Sequence, residues 1–247
     1  MSAERCPALF VTGTDTGVGK TLVAAALARY ARRCGLRVAV MKPCETGVAD
    51  PTGLGADGAL LRWAAQSDAD SELISPYRLV DPLSPAQAAT QAGTAIDPHV
   101  MLSACQELAK DKDLLIVEGA GGLMVPIRGG YLMADLAREM RLPLLIVSRP
   151  GLGTINHTLL TVYAARCMEL QLAGFLINRM PAKPGPAERE APHLLAALAS
   201  ADLLGVLPEV DGTREEQVDQ LADAITNLPS RSWLLQALGM PATARPL

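Results

Sequence analysis

Six short aliphatic runs punctuate the chain: "ALFVT" (8–12), "RVAVMK" (37–42), "DLLIVE" (113–118), "PLLIVS" (143–148), "AGFLIN" (173–178) and "LLGVLP" (203–208). Their apolar positions are continuous rather than alternating, which is the pattern of strands buried on both faces, and it predicts a parallel sheet covered by helices. The stretches between them suit crossover helices. In "TLVAAALARYARRCG", Gly35 stands where a C-terminal cap is expected. The pattern predicts one doubly wound α/β domain over residues 1–247, with a mostly parallel sheet and helices on both faces, less firmly defined after about residue 210. The Pro-rich stretch "PAKPGPAERE" (181–190) reads as a mobile surface loop.

Composition narrows the function classes. In 247 residues, 49% are hydrophobic and 3% aromatic, enough for a large aliphatic core. A net charge of −4 leaves no basic stripe for nucleic acid or an anionic membrane. The basic cluster "RYARR" (29–33) falls at an expected helix end and reads as a solvated terminus. Cys6, Cys34, Cys44, Cys105 and Cys167 form no C-x-x-C pair, so reduced thiols in a cytoplasmic setting are expected rather than zinc or disulfides. No apolar stretch approaches the ~20 residues of a membrane helix, and a soluble protein is expected.

In open α/β sheets function collects at the carboxyl ends of strands, so the residues after each run are where chemistry is sought. After the first run comes "GTDTGVGKT", Gly13 to Thr21. A standard phosphate-binding P-loop has four residues between its first glycine and its Gly-Lys pair. Here Thr14, Asp15, Thr16, Gly17 and Val18 make five between Gly13 and Gly19. The physics does not depend on that count, because a strand, a glycine-rich turn and a helix start together offer backbone N–H groups and a positive dipole end to an anion. Lys20 adds a charge for the β- and γ-phosphates, and the Thr21 hydroxyl can ligate Mg²⁺. The plainer alternative is a glycine-rich turn with an incidental Lys-Thr.

Glu118 ends its run as a Walker-B-type acid would, able to hold Mg²⁺. The following "GAGG" lets backbone pass close to a ligand, or is simply a flexible turn. Asp57 in "GADG" stands where a helix begins, as an N-cap, a metal ligand or both. Lys42, directly after a core strand, is either an edge lysine that snorkels to water or a second ammonium facing the phosphates. A reaction that brings an anionic nucleophile to the γ-phosphate needs that second charge. Asn178 can read a purine edge, and the guanine-reading Asn-Lys-x-Asp pattern is absent, which favours ATP over GTP. His157 reads as structural, because no partner carboxylate is near it in sequence.

These residues together resemble the dethiobiotin synthetase family, ATP-dependent carboxylases that close the ureido ring in biotin synthesis. The resemblance runs from near the N-terminus to about residue 210. It rests on "VTGTDTGVGKT" with its extra loop residue, "KPCETG", the Asp of "GADG", "VEGAGGLMVP", "GLGTINH", "INR" and "GVLP". It implies a P-loop NTPase-like fold and a homodimer that uses ATP, Mg²⁺, CO₂ and 7,8-diaminononanoate, with the substrate near the subunit interface. By resemblance, the loop Gly13 to Thr21 holds the nucleotide phosphates, with Asn178 and Pro208 at the base. Thr21, Asp57 and Glu118 serve Mg²⁺, and Lys42, Lys20 and Thr16 act in the reaction. Lys42, Thr46, Gly121 and the stretch Gly153, Thr154, Ile155 and Asn156 contact the substrate, the last four from the other subunit. Two features depart from the family. Cys44 and Glu45 stand where small or neutral residues are usual, and the Cys44 thiol is expected to be acidified if it faces Lys42. Residues 181–190 and the tail after 210 show no match.

Two other readings compete. Amidating synthetases of the cobyrinate type carry a glutaminase domain for which the chain has no room. Partition or positioning ATPases of the MinD or ParA kind carry a signature lysine where this loop has Asp15, and usually an Asp at the position of Glu118.

Overall fold

The computed structural model describes residues 6–246. In chain order its elements are β1 (Ala8–Gly13), α1 (Lys20–Arg33), β2 (Val38–Met41), β3 (Cys44–Thr46), α2 (Ala56–Ala65), α3 (Ser71–Ile74), β4 (Tyr77–Leu79), α4 (Pro85–Gln91), α5 (Pro98–Leu108), β5 (Leu114–Gly122), β6 (Pro126–Arg128), β7 (Tyr131–Leu132), α6 (Met133–Met140), β8 (Leu144–Ser148), α7 (Thr154–Cys167), β9 (Leu172–Met180), α8 (Pro186–Leu198), β10 (Leu203–Pro208), α9 (Arg214–Thr226) and α10 (Arg231–Ala237). The six aliphatic runs are the six strands of one parallel sheet, in the order β10-β9-β8-β1-β5-β2. Strand order reverses around β1, so the loops leaving β1 and β5 separate and open a cleft between them.

The central run of each strand is apolar because both of its faces are covered. Leu9 and Val11 of β1 pack with α1, α2, α9 and α10 on one side, while Phe10 packs with α4, α5 and α6 on the other. A third cluster lies beneath α7 and α8. Within α1, the residues Val23 to Ala28, Tyr30 and Ala31 are all buried, so small side chains let the sheet and flanking helices close on it from several sides. The helix ends as expected at Gly35, whose φ of 85° and hydrogen bond to the Arg32 carbonyl form a left-handed cap.

Two local expectations change, and two small sheets are added. The basic end of α1 is not merely solvated: Arg29 and Arg33 share Asp219 at 2.8 Å, and Arg33 also reaches Asp223 at 2.6 Å, which ties α1 to α9. The Pro-rich stretch 181–190 is not all loop, because Pro186 is the first residue of α8, where a missing N–H costs nothing. The small parallel pair β3–β4 and the β6–β7 hairpin lack the long apolar runs by which the other strands are read. Of the single-domain expectation over 1–247, residues 1–5 and 247 lie outside the described residues. No helix among the described residues is long and apolar enough to cross a membrane.

Candidate active site

Lys20 is the first residue of α1, preceded by Gly19 at φ 90°. Only glycine fits there, because a Cβ at position 19 would lie 2.3 Å from Asn178 Nδ2. Gly13 is equally confined, with Lys20 Cδ and the Asp15 carbonyl 2.9 Å from where its Cβ would stand. The loop thus folds back over the start of α1. Lys20 Nζ donates to the Asp15 carbonyl at 3.0 Å, and the Asp15 carboxylate accepts from Thr16 N at 2.7 Å. Thr14 N donates to the Val147 carbonyl, tying the loop to β8.

The sheet register brings Lys42 and Glu118 together: Met41 of β2 pairs with Val117 of β5, so the next residue of each strand emerges at the same level. Lys42 Nζ donates to Glu118 Oε1 at 2.6 Å and to Asp57 Oδ2 at 3.0 Å. Thr21 Oγ1 donates to the same Glu118 oxygen at 2.8 Å. Arg214 Nη2 donates to Asp57 Oδ1 at 2.8 Å. Lys20, Lys42 and Glu118 are only 6%, 4% and 0% exposed, so these charges interact where water screens them little.

Their titration follows. Burial works against the Lys42 ammonium, but Glu118 and Asp57 together outweigh it and lift its pKa above the usual lysine value. Burial raises the Glu118 carboxyl, with Lys42 opposing. Burial would also raise Asp57, yet Lys42 and Arg214 hold it down at about 2. Lys20 is lowered by burial, with Glu118 opposing.

Thr16, Gly17, Gly19, Lys20, Thr21, Lys42, Thr46, Asp57, Glu118 and Gly121 all line one cleft of about 500 Å³. Asn178 and Pro208 do not; they border an adjacent cavity of about 260 Å³ that shares Leu22, Arg179 and Gln217 with the first. Asn178 Nδ2 donates to the Val18 carbonyl at 3.1 Å, while its Oδ1 is buried without a partner, an acceptor suited to a purine amine. Gly153, Thr154, Ile155 and Asn156, at the start of α7, do not line the cleft.

The donor set fits Mg²⁺. Thr21, Asp57 and Glu118 offer one hydroxyl and two carboxylates around a single point, Glu118 Oε2 is buried without a partner, and a cation, the Lys42 ammonium, already sits among them. Among the described residues there is no cluster of three or more His, Cys, Asp or Glu able to cage a metal. Two carboxylates completed by phosphates and water are the usual arrangement for Mg²⁺ with a nucleotide.

Cys44 is the clear correction. Its thiol contacts Met101 Sδ at 3.6 Å, and burial pushes its pKa up to about 12, with Lys42 only partly offsetting this. Glu45 has a role the sequence reading lacked: its carboxylate accepts from Asp57 N at 2.7 Å and Gly58 N at 3.1 Å, capping α2 from outside. Arg179, Arg214 and Gln217, which also line the cleft, were not singled out. Arg179 adjoins Asn178 and donates to the Gly17 carbonyl at 2.9 Å, so the "INR" segment carried a usable signal. Arg214 and Gln217 follow the last recognisable motif.

A family model described as an AAA domain matches residues 7–217. The ATP-dependent dethiobiotin synthetase BioD of Thermodesulfovibrio yellowstonii is 40% identical, over 86% of this chain and 93% of its own length. The one from Aromatoleum aromaticum is 43% identical, over 85% of this chain and 94% of its own. Among solved structures, the septum site-determining protein MinD of Pyrococcus horikoshii with Mg-ADP superposes with a TM-score of 0.58 at 19% identity, covering 94% of each chain. At that identity the likeness shows the P-loop NTPase-like fold alone. With identities of this size over most of both sequences, the chain belongs to the ATP-dependent dethiobiotin synthetase family.

Proposed function

We propose that the protein carboxylates 7,8-diaminononanoate with CO₂ and closes the ring to dethiobiotin, consuming ATP with Mg²⁺, as one synthetase domain acting in the cytoplasm. The observation that carries this reading is the buried Lys42 ammonium between Glu118 and Asp57, which shares the acceptor Glu118 Oε1 with the Thr21 hydroxyl at the start of α1. A second buried lysine, borne on a strand end rather than in the loop, suits a reaction that brings an anionic nucleophile to the γ-phosphate.

One substrate amine adds to CO₂ and loses a proton, giving a carbamate. A carbamate oxygen attacks the γ-phosphorus and ADP leaves; the second amine then attacks the carbonyl carbon, and phosphate leaves as the ring closes. Lys20 and the loop Gly13 to Thr21 hold the phosphates, with Thr16 and Thr46 as hydroxyl donors in the cleft. Lys42 neutralises carbamate and γ-phosphate as they approach, and Gly121 lets the substrate lie against backbone. Bound through Thr21, Asp57 and Glu118, Mg²⁺ would neutralise phosphate charge during transfer. Asn178 and Pro208 receive the adenine.

Gly153 to Asn156 are assigned to the substrate carboxylate of the other subunit in a homodimer. Support comes from the exposed apolar residues alongside them: Leu152 is 90% exposed, Leu160 57% and Tyr163 69%. The test is to incubate the protein with diaminononanoate, bicarbonate and Mg-ATP and look for the cyclic urea by mass. ATP turnover stimulated by DNA or lipid, with no urea formed, would instead favour a positioning ATPase.

A further inference from the structure

The strand ends do not complete the cleft. Another part of its wall is the first turn of α9, through Arg214 and Gln217. That turn is rigidly set: Thr213 Oγ1 accepts from Glu216 N at 3.3 Å, and the Glu216 carboxylate accepts from Thr213 N at 2.8 Å. The ion pairs from Arg29 and Arg33 hold the same helix against α1 farther along. From this mount Arg214 reaches Asp57 Oδ1 at 2.8 Å while Lys42 holds Oδ2 at 3.0 Å. A carboxylate gripped by two cations through different oxygens cannot rotate without breaking a charge-assisted bond. The Arg214 side chain is 41% exposed, and pairs so open to water add little to folding stability. Its effect therefore falls on where Asp57 points.

We propose that Arg214 is a positioning residue: by holding Asp57 Oδ1, it keeps Oδ2 turned to the point that the Lys42 ammonium occupies beside Glu118, and so sets the affinity of the site for Mg²⁺ bound with nucleotide. The inference rests on Asp57 being a metal ligand. Residues that orient a ligating group in this way change metal affinity by about 10–100-fold when removed.

The test is calorimetric ATP binding without diamine, so that no turnover occurs, once with Mg²⁺ and once with EDTA. The variants are Arg214→Gln, Arg214→Lys, Asp57→Asn and the double Arg214→Gln/Asp57→Asn. Arg214→Gln should weaken ATP binding about tenfold or more in Mg²⁺, but by no more than about twofold in EDTA, the scale of a screened charge. Arg214→Lys should recover part of the loss. The double variant should bind no more weakly than Asp57→Asn, because a residue acting only through Asp57 has nothing left to act on. Equal weakening with and without Mg²⁺ would overturn the proposal by making Arg214 a direct phosphate ligand. Unchanged binding, additive losses in the double variant, or an Arg214→Gln protein that melts below the assay temperature would each overturn it too. A wild-type protein that binds ATP no better with Mg²⁺ than in EDTA would instead remove the metal assignment on which the inference stands.

Discussion

Lys42 Nζ lies 2.6 Å from Glu118 Oε1, and neither side chain has appreciable contact with solvent. The pair is fixed by strand register rather than by a flexible loop, which makes each partner a condition for the other. Lys42→Met should lower kcat by about 10²–10³ while ATP affinity falls far less than in Lys20→Ala, because Lys42 acts where charge is forced together. Lys20→Ala should lose both ATP binding and turnover. Direct ATP binding and saturating kcat for both variants decide the matter; equal loss of binding would reassign Lys42.

Removing one member of a buried pair also strands the other. Glu118→Gln and Asp57→Asn should each raise the Mg²⁺ concentration needed for half-maximal activity, since each removes a charged oxygen. Lys42→Met should in addition lower unfolding free energy by about 3–5 kcal/mol by leaving Glu118 uncompensated, with much of that restored in Lys42→Met/Glu118→Gln. Denaturant titration of the three proteins measures it. An unchanged Mg²⁺ requirement in both acid variants would make the carboxylates structural.

Cys44 should be inert. With its thiol buried against Met101 and its pKa at about 12, iodoacetamide should label exposed Cys167 in the folded protein and reach Cys44 only in denaturant, whether or not ATP is present. Rapid labelling of Cys44 in the native protein, read by peptide mass, would contradict the packing described.

Asp113 gives a signed acid response. Two hydrogen bonds from the Arg37 side chain and one from its backbone hold the Asp113 pKa down at about 2. A carboxylate depressed on folding stabilises the protein above its unfolded pKa of about 3.9 and loses that contribution as pH falls toward the folded value. The pair is largely exposed, so the contribution is below about 1 kcal/mol. Denaturant curves should show wild type exceeding Asp113→Asn by a constant margin above about pH 5, shrinking toward pH 2. A margin that grew on acidification would reverse the sign.

The sheet was legible because its strands are buried on both faces and so write themselves as unbroken apolar runs. Lys42 and Glu118 were legible because a charge directly after such a run has few structural reasons to be there. Glu45 was not, since capping α2 joins positions twelve residues apart through a turn with no pattern of its own. For Cys44 the condition for an acidic thiol, facing Lys42, is not met; burial, with Met101 of α5 against the sulfur, decides its chemistry, and sequence adjacency does not show that. Arg214 was invisible for a related reason: the ion pair crosses from α9 to α2, and nothing in the spacing of the two helices records it.

The burial of α1 has a mechanical consequence. Lys20 and Thr21 are the opening residues of a rod embedded along its length in alanine-lined contacts, so the phosphate end of the cleft is seated as firmly as the core itself. An added methyl group at buried Ala25, remote from any ligand, should therefore displace the whole rod, whereas a change at the exposed Asp15 side chain gives up little beyond its hydrogen bond from Thr16 N.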